Sequence, residues 1–146
     1  MDVFMIKVRN NAGFTILEMI SAIAIIAILS VIYLFLIDSY RERRMSEQAA
    51  KVLMLSAKVQ EDYFAREQKY FDAEVSGNGG EVYLTTPDGA KTQVRIPARV
   101  VLSLKAQNKD RRFTGSAFYT GGKIVHQYDS TTGKMTTTSR AQDEAG

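Results

Sequence analysis

The most constraining feature of the sequence is an apolar run, residues 19–37, that contains no Asp, Glu, Lys, Arg, Gly or Pro. About 19 residues at ~1.5 Å rise form a helix ~28 Å long, close to the ~30 Å hydrocarbon core of a bilayer. Because lipid offers the backbone no hydrogen-bond partners, a segment at that depth must bond internally. The run therefore predicts a membrane-spanning helix.

A single carboxylate, Glu18, stands directly before this run. An acidic residue within a membrane helix costs roughly 2.5–3.5 kcal/mol and usually marks a partner or a function. The nearest cation available to Glu18 within one helical turn is a new amino terminus created at Phe14. A simple membrane anchor needs no such carboxylate, so Glu18 argues for a specific interaction.

The N-terminal motif resembles that of type IV prepilins and the related pseudopilins. The residues that carry the resemblance are Lys7 and Arg9, followed by Gly13-Phe14-Thr15-Ile16-Leu17-Glu18 and the apolar run. The resemblance implies that a prepilin peptidase cuts between Gly13 and Phe14 and that Phe14 becomes N-methylated. It also implies that Glu18 pairs with the Phe14 amine of a neighbouring subunit during assembly.

Residues 1–13 are interpreted as the leader peptide. Lys7 and Arg9 supply positive charge, but no apolar stretch and no Ala-x-Ala site precedes the predicted cut, so the leader differs from an ordinary secretory signal. The basic residues do not decide orientation, because Arg41, Arg43 and Arg44 flank the other end of the run. The resemblance places the leader in the cytoplasm. It implies a single-pass inner-membrane protein before assembly and an extracellular pilus afterwards.

The predicted fold is α+β and pilin-like, with one long N-terminal helix packed against a C-terminal antiparallel sheet. No Gly or Pro occurs between Phe14 and Ser76, which predicts a helix of about 55 residues. Residues 14–38 form its membrane or filament-core part. Residues 39–75 form an amphipathic helix and the helix-to-sheet loop, with Ala49, Val52 and Tyr63 on its apolar face. Residues 76–146 form the sheet head.

Within the head, alternating apolar residues separated by turn signals predict short strands. Residues 76–80 are the linker, residues 81–85 and 92–96 form a hairpin across a type I turn at residues 86–89, and Pro97 ends the second strand. The core sheet is predicted to comprise residues 100–106, 113–119, 123–128 and 134–138. Gly121 and Gly122 suit a tight turn, and residues 129–133 a longer one.

No catalytic or cofactor chemistry is predicted. The chain has no cysteine and one histidine, His126, so a zinc site is not expected and His126 is interpreted as a structural or surface residue. No nucleophile elbow, phosphate-binding loop or dinucleotide fingerprint is present. The oxygen-rich residues 129–133 contain one carboxylate, too few to argue for calcium. We expect a non-enzymatic protein without cofactor or metal.

Basic residues are frequent in the sheet region. They are Lys91, Arg95, Arg99, Lys105, Lys109, Arg111 and Arg112. The simpler explanation is that these basic side chains are ordinary solvent-exposed residues on strands and loops. The sharper hypothesis is a phosphate-tracking surface in which Lys105, Lys109, Arg111 and Arg112 contact DNA, as in a DNA-uptake pilin.

Three functions remain open at this level. The first is a structural subunit of a type IV pilus, a homo-oligomeric filament of pilins built by an assembly platform in the inner membrane, serving adhesion, motility or DNA uptake. The second is a minor pilin or type II secretion pseudopilin, which stays open because Phe35 occupies the place where many bacterial pilins carry a proline. The third is a membrane-anchored binding module. Glu18 and the Gly13–Phe14 junction favour the two assembly functions over an anchor.

Overall fold

The computed structural model of the protein describes residues 13–107, 109 and 111–140. It contains one long helix, α1 (Ile16–Glu67), and a 3-10 turn at Gly77–Gly79. Its strands are β1 (Ala73–Ser76), β2 (Val82–Thr85), β3 (Lys91–Ile96), β4 (Val100–Gln107), β5 (Arg112–Tyr119), β6 (Ile124–Asp129) and β7 (Lys134–Ser139). This arrangement confirms the predicted α+β class.

The chain divides into two units, Met1–Asp38 and Ser39–Gly146. In the first unit α1 begins at Ile16 and its side chains are exposed throughout. Two hydroxyls within the apolar run are bonded inside the helix: Ser21 Oγ donates to the Leu17 carbonyl at 2.8 Å, and Ser30 Oγ donates to the Ile26 carbonyl at 2.7 Å. Apart from the exposed Tyr33, the run therefore presents mainly apolar side chains around the helix, as a lipid-facing helix requires.

The second unit is built on a five-stranded antiparallel sheet of order β1-β4-β5-β6-β7 and a separate two-stranded sheet, β2-β3. The register pairs Leu102 with Ala117 in β4 and β5, and Ala117 with His126 in β6. Strands β4 to β7 follow one another as a meander. The predicted four-stranded core sheet and the predicted β2-β3 hairpin are both confirmed.

Burial alternates along the central strands, because successive side chains point to opposite faces of a sheet. One face of β4 buries Val100, Leu102 and Leu104 against the apolar stripe of α1, where Ala49 and Leu53 are fully buried. The other face carries polar and partly exposed residues. The core of the second unit thus lies between the sheet and residues 46–63 of α1.

Strand β1 was not predicted. The sequence analysis places residues 73–75 in the helix-to-sheet loop, whereas the structure pairs β1 along β4, with Ala73 opposite Leu104 and Ser76 opposite Val101. Helix α1 stops at Glu67, and Gln68 follows with a left-handed φ of 58°. The residues between Glu67 and Ala73 reverse the chain direction, and β1 then forms an edge strand directly before the glycine-rich turn.

The turns match their residue types. Gly89 N donates to the Thr86 carbonyl at 2.9 Å, closing the predicted turn between β2 and β3. Gly122 N donates to the Tyr119 carbonyl at 3.0 Å, and Gly133 N donates to the Asp129 carbonyl at 2.9 Å. These bonds fix the two connections that fold β5, β6 and β7 into a meander.

The second unit has two ends, which we call proximal and distal. The proximal end contains the first turns of this unit's part of α1 (residues 39–46), residues 97–99 before β4, the β5–β6 turn (residues 120–123) and Arg140 after β7. The distal end contains the last turns of α1, the β4–β5 connection and the β6–β7 turn. An aromatic cluster closes the distal end, where the ring centroids of Tyr70 and Phe113 lie 4.8 Å apart and those of Phe113 and Tyr128 lie 5.5 Å apart.

Candidate assembly site

The start of α1 is fixed by Thr15. The Thr15 hydroxyl accepts a hydrogen bond from the Glu18 backbone N–H at 3.2 Å, and the Thr15 carbonyl accepts the first helical bond from Met19 N at 3.0 Å. Thr15 is therefore the N-cap, and Glu18 is the third residue of the helix. Sequence reasoning missed this role, although a Thr followed three residues later by Glu before an apolar run is a capping signature.

The capping geometry places the Glu18 carboxylate in the first turn of α1, where the free N–H groups give the helix end a partial positive charge. The helix end therefore offsets part of the cost of a carboxylate beside an apolar run. The Glu18 side chain is exposed. The carboxylate is therefore accessible from outside the helix.

Gly13 and Phe14 lie at the junction where the sequence predicts cleavage. A side chain added at Gly13 would meet no atom within 4 Å, and Gly13 does not adopt the left-handed backbone that favours glycine. Phe14 is 80% exposed. Nothing in the fold of the described residues requires glycine at position 13.

The apolar part of α1 is long and apolar enough to cross a membrane, with a mean hydropathy of 2.9 over its most apolar window. None of that window is buried in the structure. A core helix of a soluble protein has the same length and composition but is covered by its neighbours. The exposed window is therefore one that lipid or other helices are needed to cover.

The four basic residues of the DNA hypothesis lie together on the β4–β5 hairpin at the distal end. Lys105 and Arg112 lie on the strands, opposite Thr114 and Gln107 respectively, while Lys109 and Arg111 lie in the connection between them. All four are exposed. Arg95, by contrast, belongs to the separate β2-β3 sheet and pairs with Glu81 at 3.3 Å. The basic residues thus form separate groups instead of one continuous stripe.

His126 ties strand β6 to two other elements. Its Nε2 lies 2.9 Å from Ser46 Oγ on α1, and its Nδ1 lies 3.3 Å from Thr137 Oγ1 on β7. The ring borders a depression of about 370 Å³ that is also lined by Glu42, Arg43 and Ile124. Both ring nitrogens contact hydroxyl groups, so His126 has the cross-bracing contacts of a structural residue.

The oxygen-rich turn at residues 129–133 is held by its own backbone. Asp129 Oδ1 accepts a hydrogen bond from Thr131 N at 2.7 Å, and this bond holds the pKa of the Asp129 carboxyl below its usual value. Among the described residues, no group of three or more His, Cys, Asp or Glu side chains is placed to hold a metal ion. The carboxylate of Asp129 shapes the turn.

Comparison with known families identifies the N-terminal segment. Residues 8–34 match the family model of the prokaryotic N-terminal methylation motif. The matched range contains Gly13, Phe14, Thr15 and Glu18 together with most of the apolar run. Searches of curated proteins and of solved structures found no match.

The methylation motif covers residues 8–34, and the capped apolar helix α1 begins within it. That motif is the signature of the type IV pilins and pseudopilins, and the layout of α1 followed by an antiparallel sheet is pilin-like. Type IV pilins and pseudopilins are structural subunits and are not known as enzymes. The N-terminal helix fits membrane anchoring before assembly.

Proposed function

We propose that the protein is a structural subunit of a type IV pilus. In this proposal the prepilin peptidase cuts between Gly13 and Phe14, Phe14 is N-methylated, and the subunit waits in the inner membrane until the assembly platform adds it to a homo-oligomeric filament that emerges at the cell surface. The observation that carries the proposal is the exposed Glu18 in the first turn of an apolar, uncovered helix.

The assembly step follows from the two environments of Glu18. In lipid an unpaired carboxylate is costly, even with the partial charge of the helix end beside it. In a filament the neighbour's Phe14 ammonium supplies the missing cation, and the apolar faces of adjacent helices cover one another. The ion pair also selects one axial register, because a slipped neighbour leaves both charges unpaired in an apolar surrounding.

Three variants test the role of Glu18. Glu18→Gln keeps the shape but removes the charge, and Glu18→Asp keeps the charge on a shorter side chain. Thr15→Val removes the cap hydroxyl and leaves Glu18 intact. We expect Glu18→Gln to be processed normally but to lose filaments, since breaking a buried ion pair costs about 3–5 kcal/mol. We expect Thr15→Val, which costs about 1 kcal/mol of helix stability, to retain them.

Filament yield in the sheared surface fraction, measured by immunoblot beside the membrane fraction, distinguishes the outcomes. Equal filament loss in Thr15→Val and Glu18→Gln would assign Glu18 to helix capping and contradict the pairing role. Normal filaments in Glu18→Gln would remove that role altogether. Partial recovery in Glu18→Asp is expected, because the charge remains but reaches less far.

A second candidate function is that of a minor pilin or a type II secretion pseudopilin. The observation that favours it is that α1 runs without a break through Phe35, the place where many bacterial pilins carry a proline. Mass and N-terminal analysis of both fractions separates the candidates. A chain beginning at N-methyl-Phe14 and abundant in the sheared fraction supports the pilus subunit, and the same chain confined to membranes supports the second candidate.

A DNA contact at the distal end is a separate proposal within the pilus function. It is supported by the exposure and grouping of Lys105, Lys109, Arg111 and Arg112 on one hairpin. Lys105 and Arg112 lie on the same face of the sheet. Arg112 is paired with Gln107, paired residues share a face, and Gln107 is two residues from Lys105 on the same strand. Such a group offers several phosphate contacts at once, which is the sequence-independent part of DNA binding.

A further inference from the structure

The proximal end of the second unit gathers basic residues from four separate parts of the chain. Glu42 of α1 holds the β5–β6 turn, since its Oε1 accepts a hydrogen bond from Lys123 N at 3.0 Å. The same turn is bonded to two other segments: Thr120 N donates to the Arg99 carbonyl at 2.9 Å, and Arg140 N donates to the Lys123 carbonyl. These backbone bonds bring Arg99, Lys123 and Arg140 to the end of the unit where α1 enters it.

The basic residues collected there form what we call the proximal basic face. Its members are all exposed: Arg41, Arg43, Arg44, Arg99, Lys123 and Arg140. Acidic groups at this end offset only part of the charge. Asp38, just before Arg41 on α1, and Glu47 are exposed, Glu42 is half-buried and bonded to the Lys123 backbone, and Glu81 is paired with Arg95.

The chain itself gives the location of this face. Arg41 follows the last apolar residue, Ile37, by four positions on the same helix. At ~1.5 Å per residue this distance is ~6 Å, which is within the headgroup layer when residues 19–37 occupy the hydrocarbon core. Basic side chains beside a membrane helix are attracted to anionic lipid.

We propose that the proximal basic face binds the anionic phospholipid surface of the membrane in which the apolar segment is embedded. The inference rests on membrane insertion, which the proposed function also requires, but not on filament assembly. Binding through exposed charges is screened by salt. The contact is therefore weak and reversible, and it holds the sheet head at the bilayer surface while the apolar segment is embedded.

The test uses the full chain in nanodiscs, with a spin label at one introduced cysteine, Thr120→Cys. The chain has no cysteine of its own, and Thr120 is exposed in the β5–β6 turn. Collisions of the label with a nickel chelate carried on a lipid headgroup report its distance from the surface. We expect these collisions to increase at least about twofold from phosphatidylcholine discs to discs containing phosphatidylglycerol, and to fall again at high salt.

Two triple variants with the same change of charge provide the comparison. Arg43→Gln, Arg44→Gln and Lys123→Gln together should abolish the effect of phosphatidylglycerol. Lys105→Gln, Lys109→Gln and Arg111→Gln at the distal end should leave it unchanged. Circular dichroism checks that both triple variants keep the wild-type helix and sheet content.

Three results would overturn the proposal. The first is an equal collision rate in the two kinds of disc, and the second is an equal loss of the phosphatidylglycerol effect in the two triple variants. The third is a larger fall in collision rate with inorganic phosphate than with chloride of equal ionic strength, which would indicate a phosphate site in place of a bilayer contact. Failure of the chain to co-purify with neutral discs would instead contradict membrane insertion. Loss of filaments is scored separately, with Glu18→Gln.

Discussion

The side chain of Gln60 binds both backbone polar groups of Phe71. Gln60 Nε2 donates to the Phe71 carbonyl at 2.6 Å, and Phe71 N donates to Gln60 Oε1 at 3.1 Å. Gln60 is fully buried on α1. The pair of bonds imitates a strand-to-strand contact and fixes the chain between the end of α1 and β1. Because the chain has no cysteine, no disulfide can hold this segment, and the two hydrogen bonds of Gln60 hold it instead.

Replacing Gln60 by Leu should destabilise the second unit by about 2–5 kcal/mol, because it leaves the buried N–H and carbonyl of Phe71 without partners. Urea unfolding of the full chain in detergent, followed by circular dichroism, measures the change. Gln93→Leu is the matched control, since Gln93 is exposed on β3. Equal midpoints for wild type and Gln60→Leu would show that the pair contributes nothing.

Gly77→Ala should destabilise the protein while Gly79→Ala should not. A side chain at Gly77 would run into the backbone of Pro97 and lie 3.2 Å from Ala98 Cα, and Gly77 is buried. A side chain at Gly79 meets nothing within 4 Å. Overpacking against backbone that cannot rotate away costs about 2–3 kcal/mol. Thermal unfolding of the two variants gives the comparison, and identical midpoints would contradict the close approach.

The free energy of unfolding should fall at alkaline pH because the Tyr70 phenol ionises. Burial, and then the negative charge of Glu61, raise the pKa of the Tyr70 phenol, which lies 3.2 Å from each Glu61 carboxylate oxygen. The folded state therefore favours the neutral phenol, so its contribution is complete below the unfolded pKa of about 10 and is lost as pH rises through the raised folded pKa. Tyr70→Phe should flatten this decline.

The alkaline experiment compares urea midpoints between pH 8 and pH 11 for wild type, Tyr70→Phe and Tyr83→Phe. Tyr83 is exposed on β2, so its removal should leave the wild-type decline intact. At neutral pH, Tyr70→Phe should cost about 1–2 kcal/mol through the lost bond to a charged acceptor. A decline as steep in Tyr70→Phe as in wild type would assign the alkaline loss to other groups.

Gly13→Leu should leave the described fold unchanged and block processing. No atom lies within 4 Å of a side chain placed at Gly13, so any effect must arise in the enzyme that reads the junction. Intact mass of the protein expressed with a prepilin peptidase should show a chain that still begins at Met1. Gly79→Ala serves as the processed control. Normal cleavage of Gly13→Leu would contradict the predicted junction.

Arg111→Gln combined with Arg112→Gln should weaken DNA binding if the distal hairpin contacts phosphates. Each lost contact should reduce the slope of log affinity against log salt concentration by ~0.9. Fluorescence anisotropy with a labelled duplex at several salt concentrations measures both quantities. Arg43→Gln with Arg44→Gln removes the same charge at the proximal end and should change the affinity less. An equal loss of DNA affinity in the two double variants would show that binding depends on net charge alone.

Much of the fold follows from local patterns. The absence of Gly and Pro predicts α1, and alternation with turn residues such as Gly89 and Gly122 predicts β2 to β7. Strand β1 was missed because four residues, Ala73–Ser76, carry too short a pattern and depend for pairing on β4, which the chain reaches only after another hairpin. Gln60 was missed because a polar residue on an apolar helix face gains its partner from outside the helix.

The site shows the same division between local and distant information. The motif from Gly13 to Glu18 is contiguous, and the sequence alone predicts its processing roles. The grouping of basic residues is not contiguous, because Arg99 precedes β4 at one end of the sheet and Lys105 lies near the other end of the same strand. Arg95 is different again, since it pairs with Glu81, the residue before β2. Only strand direction and register separate these groups.

The position of the helix cap relative to the predicted cut has a consequence for biogenesis. Thr15 and every bond it makes to α1 lie on the retained side of the Gly13–Phe14 junction. In the proposed cleavage, hydrolysis there changes the charge and chemistry of the terminus and removes no group that bonds the start of α1. We therefore expect the membrane-held precursor to mature without refolding of α1, at a rate set by the peptidase.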